Sequence, residues 1–560
     1  MLLLAGTARA WSLRWVCDDS FVSFRYAQNL VAGRGLVYNA AERVEGYTNL
    51  SWTLLLAGVE RLGGDPVAAS APLGLAFHLA LAALLAARAW RAGRRTGSPF
   101  LPLAAAVVLV LPDAQVWATG GLETSLFGFL SVATVLLSLD ARGTVRLMAV
   151  GLLSSLLVLT RPDGALFAGV ALLAVAAPRP GSSWRASLSR ASAAAAPLAV
   201  VVLAFVAWKL SYYGEWLPTA YYSKSASRPY WSQGAVYALL FLARNWFLAV
   251  ALPAVAVLSL RDAFVLRARP RGLTREALVL LLAGLLFAAY VTRTGGDFMH
   301  ARRLLPALPF LLLVLEDVVR AAFRPRSALG VAAVCAVAAA FPYPVFSDSE
   351  ARISGVADER RFYPAAAIEA RKLQGEVVGA ALRGADARVM FGGGMLCFGY
   401  YSRLPYLVEM TGLTQYSLAR LPIRQRGLIG HEKTADASWT TANRIHLVVL
   451  QAFPPISPGS GPLPLDEIDF GRTARARVWI YSDAVMDHLR TRPGVAFVPM
   501  EAVLERIRSG QDGRSPAEAA RIASWLGRAS LRPDNPLRRD VEKAREVLLR
   551  RATGLPPELP

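Results

Sequence analysis

Cysteine is nearly missing from this chain of 560 residues, which has Cys17, Cys335 and Cys397 and no others. None of them falls in a CxxC or a Cys/His ligand spacing, and Cys335 lies inside an apolar run, so neither a disulfide framework nor a zinc site is implied. There is no GxGxxG and no P-loop. The run "GGG" at 392–394 follows a strand-like segment and reads as a tight turn rather than a nucleotide site. No internal repeat is evident, which argues against solenoids and propellers. The apolar stretch of "MLLLAGTARAW" is only about five residues, against the roughly 7 to 15 of a signal-peptide core. Charged residues are also few, 18% of the chain, while 54% are hydrophobic. One soluble core of this length would not bury so much apolar side chain, and the composition is that of a polytopic membrane protein.

What charge there is leans basic, with 61 Lys and Arg against 40 Asp and Glu, a net +21. The arginines fall in short clusters between apolar runs, where the positive-inside rule puts them, so membrane topology accounts for them and no nucleic-acid partner is expected. Apolar runs suited to spanning helices lie near residues 2–17, 67–87, 100–118, 122–139, 145–160, 164–177, 193–212, 235–260, 277–292, 304–319 and 327–345. These predict about eleven transmembrane helices, the first of them short and expected to begin upstream of Met1. The run 50–62 carries Glu60 and Arg61, ends in "GGDP", and reads as an amphipathic helix lying in the interface. With that choice the arginines of loop 88–98, then Arg142 and Arg146, Arg179, Arg185 and Arg190, those of loop 261–275, and Arg320, Arg324 and Arg326 all fall on one side, which is expected to be the cytoplasm. The sequence thus divides into a transmembrane domain, 1–346, whose first outer loop spans 18–66, and an extracytoplasmic domain, 347–560. Strand-like "ARVMF" (387–391), "IHLVVL" (445–450) and "ARVWIY" (476–481) alternate with helical stretches there, which predicts a small α/β domain with a helical tail.

The outer loops hold the chemistry. They carry "WVCDDSFVSFRYAQNLVAGRGLVYNAAERVEGYTN" from Trp15, "ATGGLETS" (118–125), "TRPDG" (160–164), "YYGEWLPTAYYSKSASRPYW" (212–231) and "TRTGGDFMHARR" (292–303). Carboxylates, basic side chains and aromatics therefore gather at one membrane surface. A sugar transferase facing outward has no nucleotide sugar to draw on, so its donor must be a lipid-linked phosphate. Such a donor needs cations for the departing phosphate and a carboxylate to take the acceptor's proton. Asp18 and Asp19, at the end of the first apolar run, fit the base, although helix capping is a common role for aspartate. Arg25, Lys224, His300, Arg302 and Arg303 are candidates for phosphate or substrate binding. Glu45, Glu123, Arg161, Asp163, Asp297, His431 and Glu432 are candidates for supporting that site or binding the acceptor. Paired carboxylates also suit Mg²⁺, Mn²⁺ or Ca²⁺, but no ligand cage is visible, and a metal is left open.

Six ordered segments, "CDDSFVSFRYAQNLVAGRGLVYNAAERVEGYTN", "GLETSLF", "TRPDG", "YYGEWLPTAYYSK", "GGDFMHARRLLPALP" and "TGLTQYSLAR…GLIGHEK", resemble the GT-C membrane glycosyltransferases. The likeness is greatest to the mycobacterial and corynebacterial terminal β-(1→2)-arabinofuranosyltransferases. It implies a polyprenyl-phosphate sugar donor, a cell-envelope glycan acceptor, and inverting transfer with Asp18 and Asp19 in the acidic motif of the first outer loop. It further implies a multi-pass protein of the bacterial inner (plasma) membrane with its site facing the periplasm or exterior. Where such enzymes often carry aspartate after "GLT", this chain has Gln415, which sets apart any catalytic or calcium role there. The competing reading is a non-enzymatic protein, either a transporter of lipid-linked saccharide or an assembly factor for envelope or motility machinery. A transporter, however, should show polar or broken helices at mid-membrane depth.

Overall fold

The computed structural model describes residues 1–251, 274–423, 426–449, 466–526 and 538–554, isolated positions within these stretches aside. Its chain divides into two compact units: Met1–Leu36 with Tyr47–Ala365 and Arg426–Gly430, and Val37–Gly46 with Ala366–Gln425 and His431–Pro560. The boundary read from the sequence at 346 falls before this change of unit, and ten residues of the first outer loop go with the second.

The first unit is helical. In chain order it has α1 (Leu2–Ser12), α2 (Ser20–Val31), α3 (Leu50–Arg61), α4 (Pro66–Thr96), α5 (Leu103–Val110), α6 (Pro112–Thr119), α7 (Thr124–Asp140), α8 (Thr144–Thr160), α9 (Ala165–Ala176), α10 (Trp184–Tyr213), α11 (Thr219–Ser223) and α12 (Trp231–Arg244). Helices Arg275–Arg293, Leu308–Ala322 and Pro325–Ala340 follow. Local chemistry sets the ends. Asp65 accepts from Val67 N at 2.9 Å with Pro66 in the first turn, and Gly97 closes α4 at a φ of 65°. An aspartate cap, a proline at the first position and a left-handed glycine are the residue types that helix ends favour.

By length and composition, α4, α10 and Arg275–Arg293 are able to cross a bilayer, and α6 with α7 joins them as a pair bent by 112°. α8, Pro162–Ala176 and Pro325–Ala340 are apolar but shorter. α10 turns Val200 and Leu203 outward, 67% and 68% exposed. Apolar surface shown over such a length belongs to a membrane protein. The described helices thus give three or four crossings by this measure, where the apolar runs predict eleven. One reason is Pro112, which cannot continue a helix ladder and pushes Leu111 to an extended ψ of 115°, so the run 100–118 becomes α5 and α6. Most of the second half of the run 235–260, and the arginines of 261–271, lie outside the described residues.

The reading of 88–98 as a loop is corrected. α4 continues through it as far as Thr96, and Arg88 is no loop arginine: it donates to Asp317 Oδ1 at 2.5 Å and Glu276 Oε1 at 2.8 Å, with Glu316 at 3.7 Å. Acidic partners on two other helices hold this cation where sequence periodicity shows only the end of an apolar run. Arginine is itself a good helix former, so α4 has no reason to stop there.

The second unit is built on a six-stranded sheet in the order β4-β3-β5-β7-β6-β8. Its strands are β3 (Val389–Phe391), β4 (Leu407–Glu409), β5 (Leu447–Val449), β6 (Asp466–Phe470), β7 (Ala474–Val478) and β8 (Val495–Pro499), while β1 (Arg352–Ile353) and β2 (Val356–Ala357) form a separate hairpin in the first unit. β3 lies parallel to both β4 and β5, and the remaining pairs are antiparallel. The strand expected over 476–481 is in place but begins two residues earlier, at Ala474. Met390, Val408, Leu418, Trp439, Ile445 and Val448 pack as one core. Residues 37–46 belong to this unit through Asn39, whose amide donates to Leu407 O and accepts from Leu407 N, both at 2.9 Å. Asn39 thereby does for the β4 edge what another strand's backbone would do.

Candidate functional site

The segment joining α1 to α2 carries the acidic pair. Cys17 N donates to Gly120 O at 2.9 Å, and Ser20 Oγ donates to the same oxygen at 3.0 Å. The GGL turn between α6 and α7 therefore clasps both sides of Asp18 and Asp19. Gly121 needs its φ of 81° here, and a Cβ on it would meet Ser20 Oγ at 2.8 Å. Asp19 holds the N-cap position of α2, yet its side chain makes no capping bond. Asp18 is 1% exposed and Asp19 is half-buried.

Arg302 is the centre of the cationic half. Its Nη2 lies 3.2 Å from Glu123 Oε1 and its Nη1 3.9 Å from Asp297 Oδ2. Burial works against its charge, but Glu123, Asp297 and Asp19 outweigh that and raise its pKa, so Arg302 stands within the field of Asp19. Its Nε is buried with no hydrogen-bond partner among the described residues. Asn49 donates to the other Glu123 oxygen at 2.9 Å, and accepts from Ser23 at 3.0 Å and from Thr53 at 3.1 Å. α2 and α3 thus both bear on the carboxylate that holds Arg302. Burial alone would raise the Glu123 carboxyl, but Arg302 and Arg161 hold it below its ordinary value.

A second knot lies beside the first. Arg161 donates to Asp163 through Nε at 3.0 Å and Nη2 at 2.5 Å, and Arg303 approaches the same carboxylate at 3.6 Å. Against the effect of burial, these two arginines keep Asp163 ionised below its usual range. Lys224 reaches Asp297 at 3.7 Å, and Lys224, Arg302 and Arg303 together overcome burial to hold that carboxyl low as well.

Of the residues singled out in the sequence, Asp18, Asp19, Glu123, Arg161, Asp163, Lys224, Asp297, Arg302 and Arg303 are drawn into one network of contacts and fields. His300 stands apart from Arg302 and Arg303. Ala301 between them takes a φ of 64°, and the His300 Nδ1 lies 4.0 Å from Asp113, a carboxylate already paired with Arg244 at 2.8 Å. Burial lowers the His300 pKa despite Asp113, leaving a neutral ring. Arg25 is buried within α2. Glu45, His431 and Glu432 belong to the second unit. There Gln415 donates to Glu42, so the position after "GLT" serves the loop 37–46.

Asn49 and Glu359 were not among the candidates. Asn49 was hidden at the end of "EGYTN", where asparagine ahead of an apolar run reads as a helix start. Glu359 carries no motif at all. Among the described residues, no group of three or more His, Cys, Asp or Glu side chains is arranged to hold a metal ion. As a chemical device, the network offers a reachable carboxylate, Asp19, beside cations that are themselves braced by other carboxylates. Such a site suits proton removal next to a bound anion.

No protein-family model matches the chain. It is similar to the terminal β-(1→2)-arabinofuranosyltransferase of Mycobacterium tuberculosis, 31% identical over 416 residues, which is 65% of this chain and 64% of that protein. It is also similar to the protein of the same name from Corynebacterium glutamicum, 30% identical over 340 residues, 54% of this chain and 48% of the other. The chain therefore spans less than two thirds of either relative's length. Among solved structures it is similar to the Archaeoglobus fulgidus oligosaccharyltransferase crystallised with zinc and sulfate, at 12% identity and a TM-score of 0.43, over 80% of this chain and 68% of that one.

Proposed function

We propose that this protein is a membrane glycosyltransferase of the GT-C type. It transfers arabinofuranose or a related sugar from a polyprenyl-phosphate donor to a cell-envelope glycan. The observation that carries this reading is the placing of Asp19, half-buried at the start of α2, within the field of Arg302. The names of the two relatives point the same way.

Asp19 is the general base, taking the acceptor hydroxyl's proton as that oxygen attacks the anomeric carbon from the face opposite the phosphate, with inversion. Asp18 is nearly without exposure and so less open to an acceptor. Arg302 and Arg303, with Lys224, receive the charge that develops on the departing phosphate. The site faces the exterior of the inner membrane, where the lipid-linked donor is displayed, and the α/β unit binds the acceptor glycan.

The test is transfer of sugar by purified protein from a synthetic polyprenyl-phosphate arabinofuranose to an oligoarabinoside. Asp19→Asn should lower the rate by about a hundredfold or more, the usual contribution of a positioned base. Unchanged transfer in a folded Asp19→Asn protein would remove the assignment. No transfer by the unaltered protein with any pentose donor would remove the reading itself.

A further inference from the structure

Glu359 opens a helical turn, Glu359–Phe362, just after the β1–β2 hairpin. Two anchors fix its place. On one side Ala357 N donates to Phe298 O at 2.6 Å and Ala357 O accepts from His300 N at 3.0 Å, which zips the segment onto the "GGDFMHARR" loop. On the other side the Tyr363 ring stacks on Trp15 with centroids 6.5 Å apart, close to the residues that lead into Asp18. The Glu359 carboxyl is thereby held between the loop bearing Asp297 and Arg302 and the acidic pair. It is 6% exposed, and among the described residues it makes no ion pair.

The groups facing it are Cys17, Asp18 and Asp19 from the start of α2, Asp297 from the loop, Arg352 from β1 and Tyr363 from its own segment. The site must admit an anionic phosphate although carboxylates crowd it. Asp297 is offset by Lys224 and Arg302, Glu123 by Arg302, and Asp163 by Arg161 and Arg303. Among the described residues Glu359 makes no ion pair, and Arg352, the cation that faces it, offsets it less than Asp19 and Asp297 oppose it. Among like charges packed together, a buried carboxyl without an ion-pair partner tends to retain its proton, and a protonated carboxyl is a hydrogen-bond donor rather than a repelling charge.

We propose that Glu359 is a further donor-binding residue: a neutral carboxylic acid that donates a hydrogen bond to the phosphate of the sugar donor beside Asp19. This rests on the reading of the chain as a polyprenyl-phosphate-dependent transferase. The O–H stays intact throughout, so Glu359 gives and takes no proton during transfer. Burial, followed by the charges of Asp19 and Asp297, pushes its carboxyl up to about 8. The donor form therefore prevails at neutral pH and is replaced by a carboxylate as pH rises through that value. Tyr363 is raised by burial and Asp18, and His300 is lowered by burial, so both move away from this range.

The experiment measures binding of a polyprenyl monophosphate, the lipid product of the proposed reaction, to the purified full-length protein in detergent between pH 7 and pH 9. A phosphate monoester has its second pKa near 6 and stays doubly ionised across that interval. The unaltered protein should bind about tenfold more weakly at pH 9 than at pH 7, as the protonated fraction of Glu359 falls. Glu359→Gln, a neutral donor of the same shape, should bind well at both ends. Glu359→Ala should bind weakly at both. Affinity of the unaltered protein that is flat to pH 9 would overturn the inference without any variant, as would an unchanged alkaline loss in Glu359→Gln. If the unaltered protein does not bind the lipid phosphate at any pH, the transferase reading fails instead.

Discussion

Arg302 and Glu123 form an ion pair of 3.2 Å in which the arginine side chain is 13% and the glutamate 3% exposed. With Asn49 occupying the other carboxylate oxygen, neither partner can turn away without stranding a buried polar group. Glu123→Gln leaves Asp297, at 3.9 Å, as the nearest acidic partner of Arg302. Breaking a buried pair from one side costs about 3 to 5 kcal/mol. The variant should therefore melt well below the unaltered protein in a detergent thermal scan, and sugar transfer should fall about a hundredfold through the misplaced guanidinium. The double variant Glu123→Leu with Arg302→Met should recover most of the stability and none of the transfer.

Asp163 gives a prediction for acid. Its folded pKa is depressed from 3.8 because Arg161 and Arg303 outweigh burial. A depressed carboxyl contributes stability that is present above the unfolded value and lost as pH falls through the folded one. Lowering pH from 6 toward 3 should reduce the melting temperature of the unaltered protein more steeply than that of Asp163→Asn. Parallel profiles for the two would show that the ion pair has no net linkage to folding.

Gly296 and Gly33 have nearly the same backbone, at φ of 73° and 74°, but different surroundings. A Cβ on Gly296 would stand 2.3 Å from the Tyr237 ring, while one on Gly33 meets nothing within 4 Å. Gly33→Ala should cost about 1 to 2 kcal/mol, the left-handed penalty alone. Gly296→Ala adds overpacking of about 1 to 3 kcal/mol and moves the neighbouring Asp297 away from Lys224. Thermal midpoints of the two variants should differ clearly. Equal shifts would mean that Tyr237 yields without cost.

Arg88 anchors three helices through Glu276, Glu316 and Asp317, well along the chain from the acidic pair. Arg88→Met should destabilise by about 3 kcal/mol or more, because three carboxylates lose their shared cation. At permissive temperature it should transfer sugar at close to the normal rate. A variant that is fully stable but inactive would tie this cluster to the chemistry.

Much of the site was legible because its parts obey local rules. "TRPDG" makes a turn by itself, which brings Arg161 and Asp163 together, and "LSWTLLLAGVER" carries a helical pattern that α3 follows. Glu359 could not be read this way. Nothing in "SGVADERRFY" marks it, and its burial comes from a hairpin docking onto a loop some sixty residues earlier. The separation of His300 from Arg302 was equally hidden, since "HARR" reads as one basic cluster until the left-handed Ala301 divides it. The extent of α4 is hidden because an arginine that meets acids on other helices looks, in sequence, like one that meets water.

The attachment of residues 37–46 to the sheet has a practical outcome for anyone cutting this protein apart. A fragment beginning at Ala366 would lack the amide that seals the β4 edge, and should stick to itself or need the excised decapeptide supplied in trans. Conversely, stopping translation before Ala366 would leave Asn39 without the Leu407 backbone it pairs with. Stop codons near residue 346 therefore remove more than a module, and complementation by split genes should succeed only when the break falls elsewhere.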